Sequence, residues 1–204
     1  MEDNYTLGLA LTDFIPNIAF LVGALFLVRT VIMARGKKSS RMCMAGSALV
    51  FAGGFLKATW KLLYTIGVAD IQIFSTVQFI LLAPGFLALL VTVILLARTK
   101  PIKAPAVVLA MAAWKIPFLA VMTLSSLGAQ GILTYISFKR KTPLAAALFI
   151  VAVLCMLGMS GMASGATQTV TMQWIEEIMN SIGQISFAVG CWLLYKNYAA
   201  EKTA

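Results

Sequence analysis

Long apolar runs leave this chain few folds. They cover residues 6–34, 42–68, 71–97, 104–138, 143–164 and 172–195, and each matches or exceeds the ~20 residues a helix needs to cross a ~30 Å hydrocarbon core. A helix satisfies its own backbone hydrogen bonds and can therefore pass through lipid, whereas an irregular segment cannot. The period-two alternation of a membrane β-barrel is absent. Hydrophobic residues make up 61% of the chain and charged ones 11%, against roughly 25% charged in soluble domains. The expected fold class is all-α, a polytopic transmembrane helix bundle.

The net charge of +9 has a topological meaning here. Arg35, Lys37, Lys38 and Arg41 follow the first run, and Arg98, Lys100 and Lys103 follow the third. Lys139-Arg140-Lys141 precedes the fifth, and Lys196 and Lys202 close the chain. Cytoplasmic loops collect such residues. With the N-terminus outside, one crossing by 104–138 would leave the basic triplet outside. Two crossings, turning near Trp114 and Pro117, place every basic loop in the cytoplasm. All but Lys57, Lys61 and Lys115 of the 16 basic residues then lie at that face, with only Glu201 of the seven acids. This favours seven spans arranged 3+1+3.

The short middle span is the weak element, since the ~14 residues from Pro101 reach only about 21 Å as a helix. Six spans, 3+3, is the alternative. The sequence also reads as duplicated: Ile15-Pro16 recurs as Ile116-Pro117, Gly53-Gly54 has counterparts in Gly158 and Gly161, and Gly85 and Arg98 correspond to Gly183 and Lys196. The expected units are 1–98, a short linker span 99–116, and 117–204. The acidic start, Glu2 and Asp3, lacks the basic region of a secretory signal, so the first run is expected to be retained. A multi-pass protein of the cell inner (plasma) membrane is the expectation, with its N-terminus outside and its C-terminus cytoplasmic.

Several functions lose their footing. Histidine is absent, which removes imidazole metal sites and histidine-dependent triads. Cys43, Cys155 and Cys191 sit inside apolar runs without metal-ligand spacing and read as small buried hydrophobes. No nucleophile motif or paired aspartates appear, so neither enzymatic activity nor a cofactor or metal is expected. The basic residues are accounted for by topology and do not point to nucleic acid. The lipid bilayer and a small-molecule ligand are the expected partners, with a second copy of the chain or another membrane protein as further candidates.

Lys57 and Lys61 carry the most information. They are four residues apart on the second helix and share a face, with Trp60 adjacent. A lysine well inside a span costs about 2.5–3.5 kcal/mol and needs a partner or a wet cavity. Glu176 and Glu177 on the last helix are the expected partners, while Asp13 and Asp70 read as nearer the surface. Adjacent glutamates diverge by about 100°, so only one can face a lysine squarely. Gln78, Trp174 and Asn180 complete the candidate substrate-binding set, with Gln72 and Gln184 weaker. Trp60, Trp114 and Trp174 fit an interfacial aromatic belt as well as a ligand cage.

The 3+1+3 plan with its N-terminus outside resembles that of the SWEET sugar transporters. Seven helices with that orientation are also similar to the microbial rhodopsins, but residues 172–195 contain no lysine for a retinal Schiff base. Both are likenesses of plan. The functional expectation is a transporter or channel for a small solute, an anionic one where the lysines engage it. A ligand-sensing receptor or accessory subunit is the alternative.

Overall fold

A computed structural model of the chain describes residues 6–98, 115–163 and 169–203. These residues are almost entirely helical: α1 (Leu7–Thr12), α2 (Phe14–Arg35), α3 (Lys37–Thr65), α4 (Gln72–Ala97), α5 (Lys115–Lys139), α6 (Pro143–Ala163) and α7 (Val170–Thr203). Among the described residues six stretches are long and apolar enough to cross a membrane, with α1 and α2 counting as one. The expected short span over 99–116 falls outside the described residues except for Lys115 and Ile116, which open α5. Trp114 lies outside them as well.

Local sequence explains the breaks. Pro16 occupies the first turn of α2, where a missing N–H costs nothing, and α1 passes into α2 at Asp13. The Asn17 amide then donates to the Asp13 carbonyl at 2.8 Å. Gly36 ends α2 with φ +82° and donates its N–H to Ile32. An L-residue with a side chain rarely adopts that conformation, and it lets α3 begin at once. Between α5 and α6, Thr142 sits beside Pro143 at the first position of α6. Lys141 there takes a left-handed φ of +56°.

Each long helix packs on its neighbours in chain order, and α7 closes on α2 to complete a ring. The interior is filled by Leu27, Val93, Leu133, Phe149 and Leu194, with Phe20 and Phe187 stacked across α2 and α7 at 5.7 Å. Small residues set the closest approaches. A Cβ on Gly85 would meet Val50 at 2.7 Å and the Gly46 carbonyl at 3.0 Å, and one on Gly23 would meet Phe187 and the Ala188 backbone. The outer surface carries exposed Ile18, Val22, Leu25, Leu124, Leu144, Leu154 and Ile182. Apolar side chains exposed in such number call for lipid or a partner to cover them. Six helices of this length and composition are compatible with a multi-pass membrane protein.

Strand direction has its helical counterpart here. The C-terminal ends of α2, α4, α5 and α7 meet around one cleft lined by Arg35, Arg98, Arg140 and Glu201. Halfway along, Leu27, Leu89, Gln130 and Gln184 of the same four helices line a second, very small cavity. These four helices therefore run the same way and α3 and α6 return. Adjacent α4 and α5 are parallel. The cleft end is called the basic end below.

The α3–α4 contact makes a direct prediction. Gly85→Val should destabilise the bundle by about 1–3 kcal/mol, the usual cost of overpacking, whereas Gly131→Ala, with open space around it, should be neutral or slightly stabilising. Thermal unfolding of both variants in detergent would check this; equal midpoints would contradict the close approach.

Candidate functional site

Far from the basic end, three elements bring charge into the interior. Lys61 Nζ lies 2.7 Å from Asp13 Oδ2 and 3.9 Å from Glu177 Oε1. All three residues are buried, at 6%, 3% and 6% exposure. Asp13 comes from the α1–α2 junction, Lys61 from the end of α3 and Glu177 from the start of α7. Lys57, one turn earlier on α3 and half-buried, is electrostatically coupled to Asp13 and Glu177.

The local fold explains how Asp13 arrives there. Helix α1 packs on α3 and α7 as well as on α2, and its Leu9 and Ala10 are completely buried. This short helix thereby holds Asp13 between α3 and α7. Trp174 of α7 adds to that contact, since its indole lies 3.5 Å from where a Cβ on Gly8 would stand. Asn17, which holds the Asp13 carbonyl, fits only because residue 54 is glycine; a Cβ there would collide with the Asn17 Oδ1.

The structure separates the residues singled out by sequence into groups. Lys61 and Glu177 come together and Lys57 joins them electrostatically. Asn180 is half-buried three residues after Glu177, and so on the same side of α7. Glu176 is also half-buried, about 100° around the helix from its neighbour. Trp60 belongs to a different cluster: its Nε1 donates to Asp70 Oδ1 at 3.0 Å, its ring lies near Tyr64, and Gln72 donates to the other Asp70 oxygen. That cluster ties the α3–α4 turn. Gln78 is buried, but its amide donates to the Ser75 carbonyl of its own helix, along the α3–α4 seam.

Two positions differ from the sequence expectation. Helix α3 stops at Thr65, so Lys57 lies about 12 Å and Lys61 about 6 Å from its end, shallower than a count back from the end of the 42–68 run implies. The nearest partner of Lys61 is Asp13 rather than a glutamate. Asp13 interrupts an otherwise apolar run, the same signal that marks the lysines, but its nearness to the start of the run suggested a surface position. The packing of α1 against α3 and α7 buries it. Sequence reasoning also missed Gln130, which is buried and lines the central cavity beside Ser126 and Gln184.

No family model, no curated protein and no solved structure matches this chain. The site must therefore be read from its own chemistry.

An ammonium between two carboxylates in a buried site holds its geometry tightly, because removing one partner strands a buried charge, at a cost of about 3–5 kcal/mol. Lys61→Met should lower stability by that order, and combining it with Asp13→Asn should recover part of the loss. Denaturant unfolding in detergent of the two singles and the double gives the coupling. Strictly additive losses would contradict the ion pair.

Proposed function

We propose that the chain is an integral membrane transporter or channel for a small solute carrying an anionic group, with its site around Lys57 and Lys61. One observation carries the reading: Lys61 is held between carboxylates of two other elements, at a point where α1, α2, α3 and α7 converge. Ionisable groups buried in membrane helices mark substrate or ion paths more often than soluble-protein experience suggests. Asp13 holds the ammonium closely and Glu177 holds it at longer range. An anionic solute would take the place of Glu177 beside Lys61, and Lys57 would add attraction one turn deeper. Release of the solute restores the internal ion pair, so the empty site does not leave charge unpaired.

The axis of the bundle supports a path. Ser126, Gln130 and Gln184 lie in the central cavity, between the Lys61 group and the basic cleft. The two ends are separated by about 33 Å, the rise of the 22 residues of α2 at ~1.5 Å each. With the basic end cytoplasmic, as the positive-inside rule has it, the Lys61 group faces the outer half and both termini take the expected sides.

The same orientation supports seven crossings. Because α4 and α5 run in the same direction, Arg98 and Lys115 fall at opposite ends of the bundle, which favours one further crossing between them. With that crossing the arrangement is 3+1+3, each three-helix unit in the same orientation. Packing supports duplication: Gly85 of α4 abuts Val50 of α3, and Gly183 of α7 abuts Ala152 and Cys155 of α6, at corresponding positions of the two units. Repeats of this kind, with a site between them, recur in transport folds.

A second reading, an accessory or sensing subunit, is favoured by the charge balance of the Lys61 group, which can act as a strut without any ligand. Native mass spectrometry of gently purified wild type beside Lys57→Met and Lys61→Met separates the two. Transport predicts a retained small anion in the wild type that both variants lose, and flux of that compound in proteoliposomes. No retained anion in any sample would support the strut. For topology, single cysteines at Arg98 and Lys115 in a background lacking Cys43, Cys155 and Cys191 should label from opposite sides of sealed vesicles; labelling from one side would restore six crossings.

A further inference from the structure

The basic end holds a second concavity that the solute reading does not use. It has a volume of about 410 Å³ and is lined by Arg35, Arg98, Arg140, Tyr198, Glu201 and Lys202, together with apolar side chains of α2 and α4. Three arginines and a lysine thus face one carboxylate. The four helices that meet here also present their C-terminal ends, whose partial negative charge accounts for some of the basic residues. It does not account for a cavity, since cations that only neutralise helix ends can lie on an open surface.

One arginine in this group is positioned in advance. The Arg140 guanidinium lies over the Tyr198 ring at 3.3 Å, bonds to Asn197 Oδ1 at 2.9 Å and pairs with Glu201 at 2.7 Å. Asn197 returns a bond to the Arg140 carbonyl, which ties the α5–α6 turn to α7. Tyr198 is buried. Burial on its own would lower the guanidinium's pKa, but Glu201 and Tyr198 move it above its ordinary value, so the charge is fixed. The Glu201 side chain, by contrast, is 60% exposed and can swing away. Among the described residues no carboxylate is paired with Arg35, Arg98 or Lys202.

We propose that this cleft binds a phosphate-bearing anion, either the headgroup of an anionic phospholipid or a free phosphate compound. Planar guanidinium groups match phosphate oxygens in pairs of hydrogen bonds, and clustered arginines are a common way of holding that group. A carboxylate ligand needs one such fork, whereas three arginines around one cavity suit an anion with three accessible oxygens. On binding, the anion takes the position of the Glu201 carboxylate at Arg140, and Glu201 moves to solvent. The apolar lining from Met33 and Leu96 suits the first methylenes of a lipid at the bilayer edge. This site stands apart from the Lys61 group by the length of α2, so either can fail without the other.

The test uses the full chain, stripped of lipid in neutral detergent. Phosphatidylglycerol and phosphatidylcholine are offered in equal amounts and retention is read by native mass spectrometry; inorganic phosphate is titrated separately by calorimetry. The comparison set is wild type, Arg98→Gln/Arg140→Gln, Lys202→Met and Lys139→Gln, the last an exposed cation at the end of α5 outside the cleft lining. The proposal expects binding at least tenfold weaker in the double variant, a smaller loss in Lys202→Met, and no change in Lys139→Gln. Preferential retention of phosphatidylglycerol identifies a lipid site, and saturable phosphate binding without lipid preference identifies a soluble ligand. If the double variant does not fold, Lys202→Met against Lys139→Gln decides. Equal binding in those two, or binding of neither probe by the wild type, overturns the proposal.

Discussion

A lysine ammonium placed among helices in an apolar medium must find a counter-charge, and much of the packing at one end of this bundle follows from how Lys61 finds two. Its partners come from the start of the chain and from α7. Forming the group therefore brings the α1–α2 junction, the end of α3 and the start of α7 to one place. The uncompensated alternative costs several kcal/mol per ion even after relaxation, more than any single apolar contact in the ring. Gly54, Asn17 and Pro16 serve the same end, because each helps set the backbone at Asp13 where its carboxylate can reach inward.

Away from this group, packing is ordinary for membrane helices. Without a hydrophobic drive between helices in lipid, association depends on close van der Waals contact, and glycines supply it. Gly23, Gly46, Gly85 and Gly190 each face a neighbouring helix at a distance that excludes a Cβ. The result is a ring in which α2 and α7, distant in sequence, are in extensive contact. The two charged regions then occupy opposite ends of the same seam, one internally balanced and one with an excess of positive charge.

Much of this was legible in the sequence, for definite reasons. Run lengths gave the spans of α2, α3, α4 and α6 within a few residues, because the hydrocarbon thickness imposes them. Lys61 and Glu177 could be paired because burial of either alone is costly. Depth was harder to read. Whether α3 ended at Thr65 or continued to Val68 depends on Gly67, whose φ of +70° belongs to a turn, and three residues of helix change a depth estimate by about 5 Å. Asp13 was harder to place because its burial depends on how α1 packs against α3 and α7, which the sequence of α1 does not signal. Trp60 and Gln78 satisfied the sequence criterion for a site, being polar groups at a plausible level, yet their bonds run to Asp70 and Ser75. Sequence gives the level of a side chain along a helix more readily than the neighbour it faces.

The central claim is that the Lys61 ion pair ties the α1–α2 junction and the end of α3 to the start of α7. Hydrogen–deuterium exchange resolved by segment, comparing wild type with Lys61→Met in the same detergent, tests it most directly. The account predicts that amides of α1 and of the first turns of α7 lose protection in the variant, while α4 and the α5–α6 turn keep theirs. Unchanged protection across α1, or a uniform loss throughout the bundle, would contradict it.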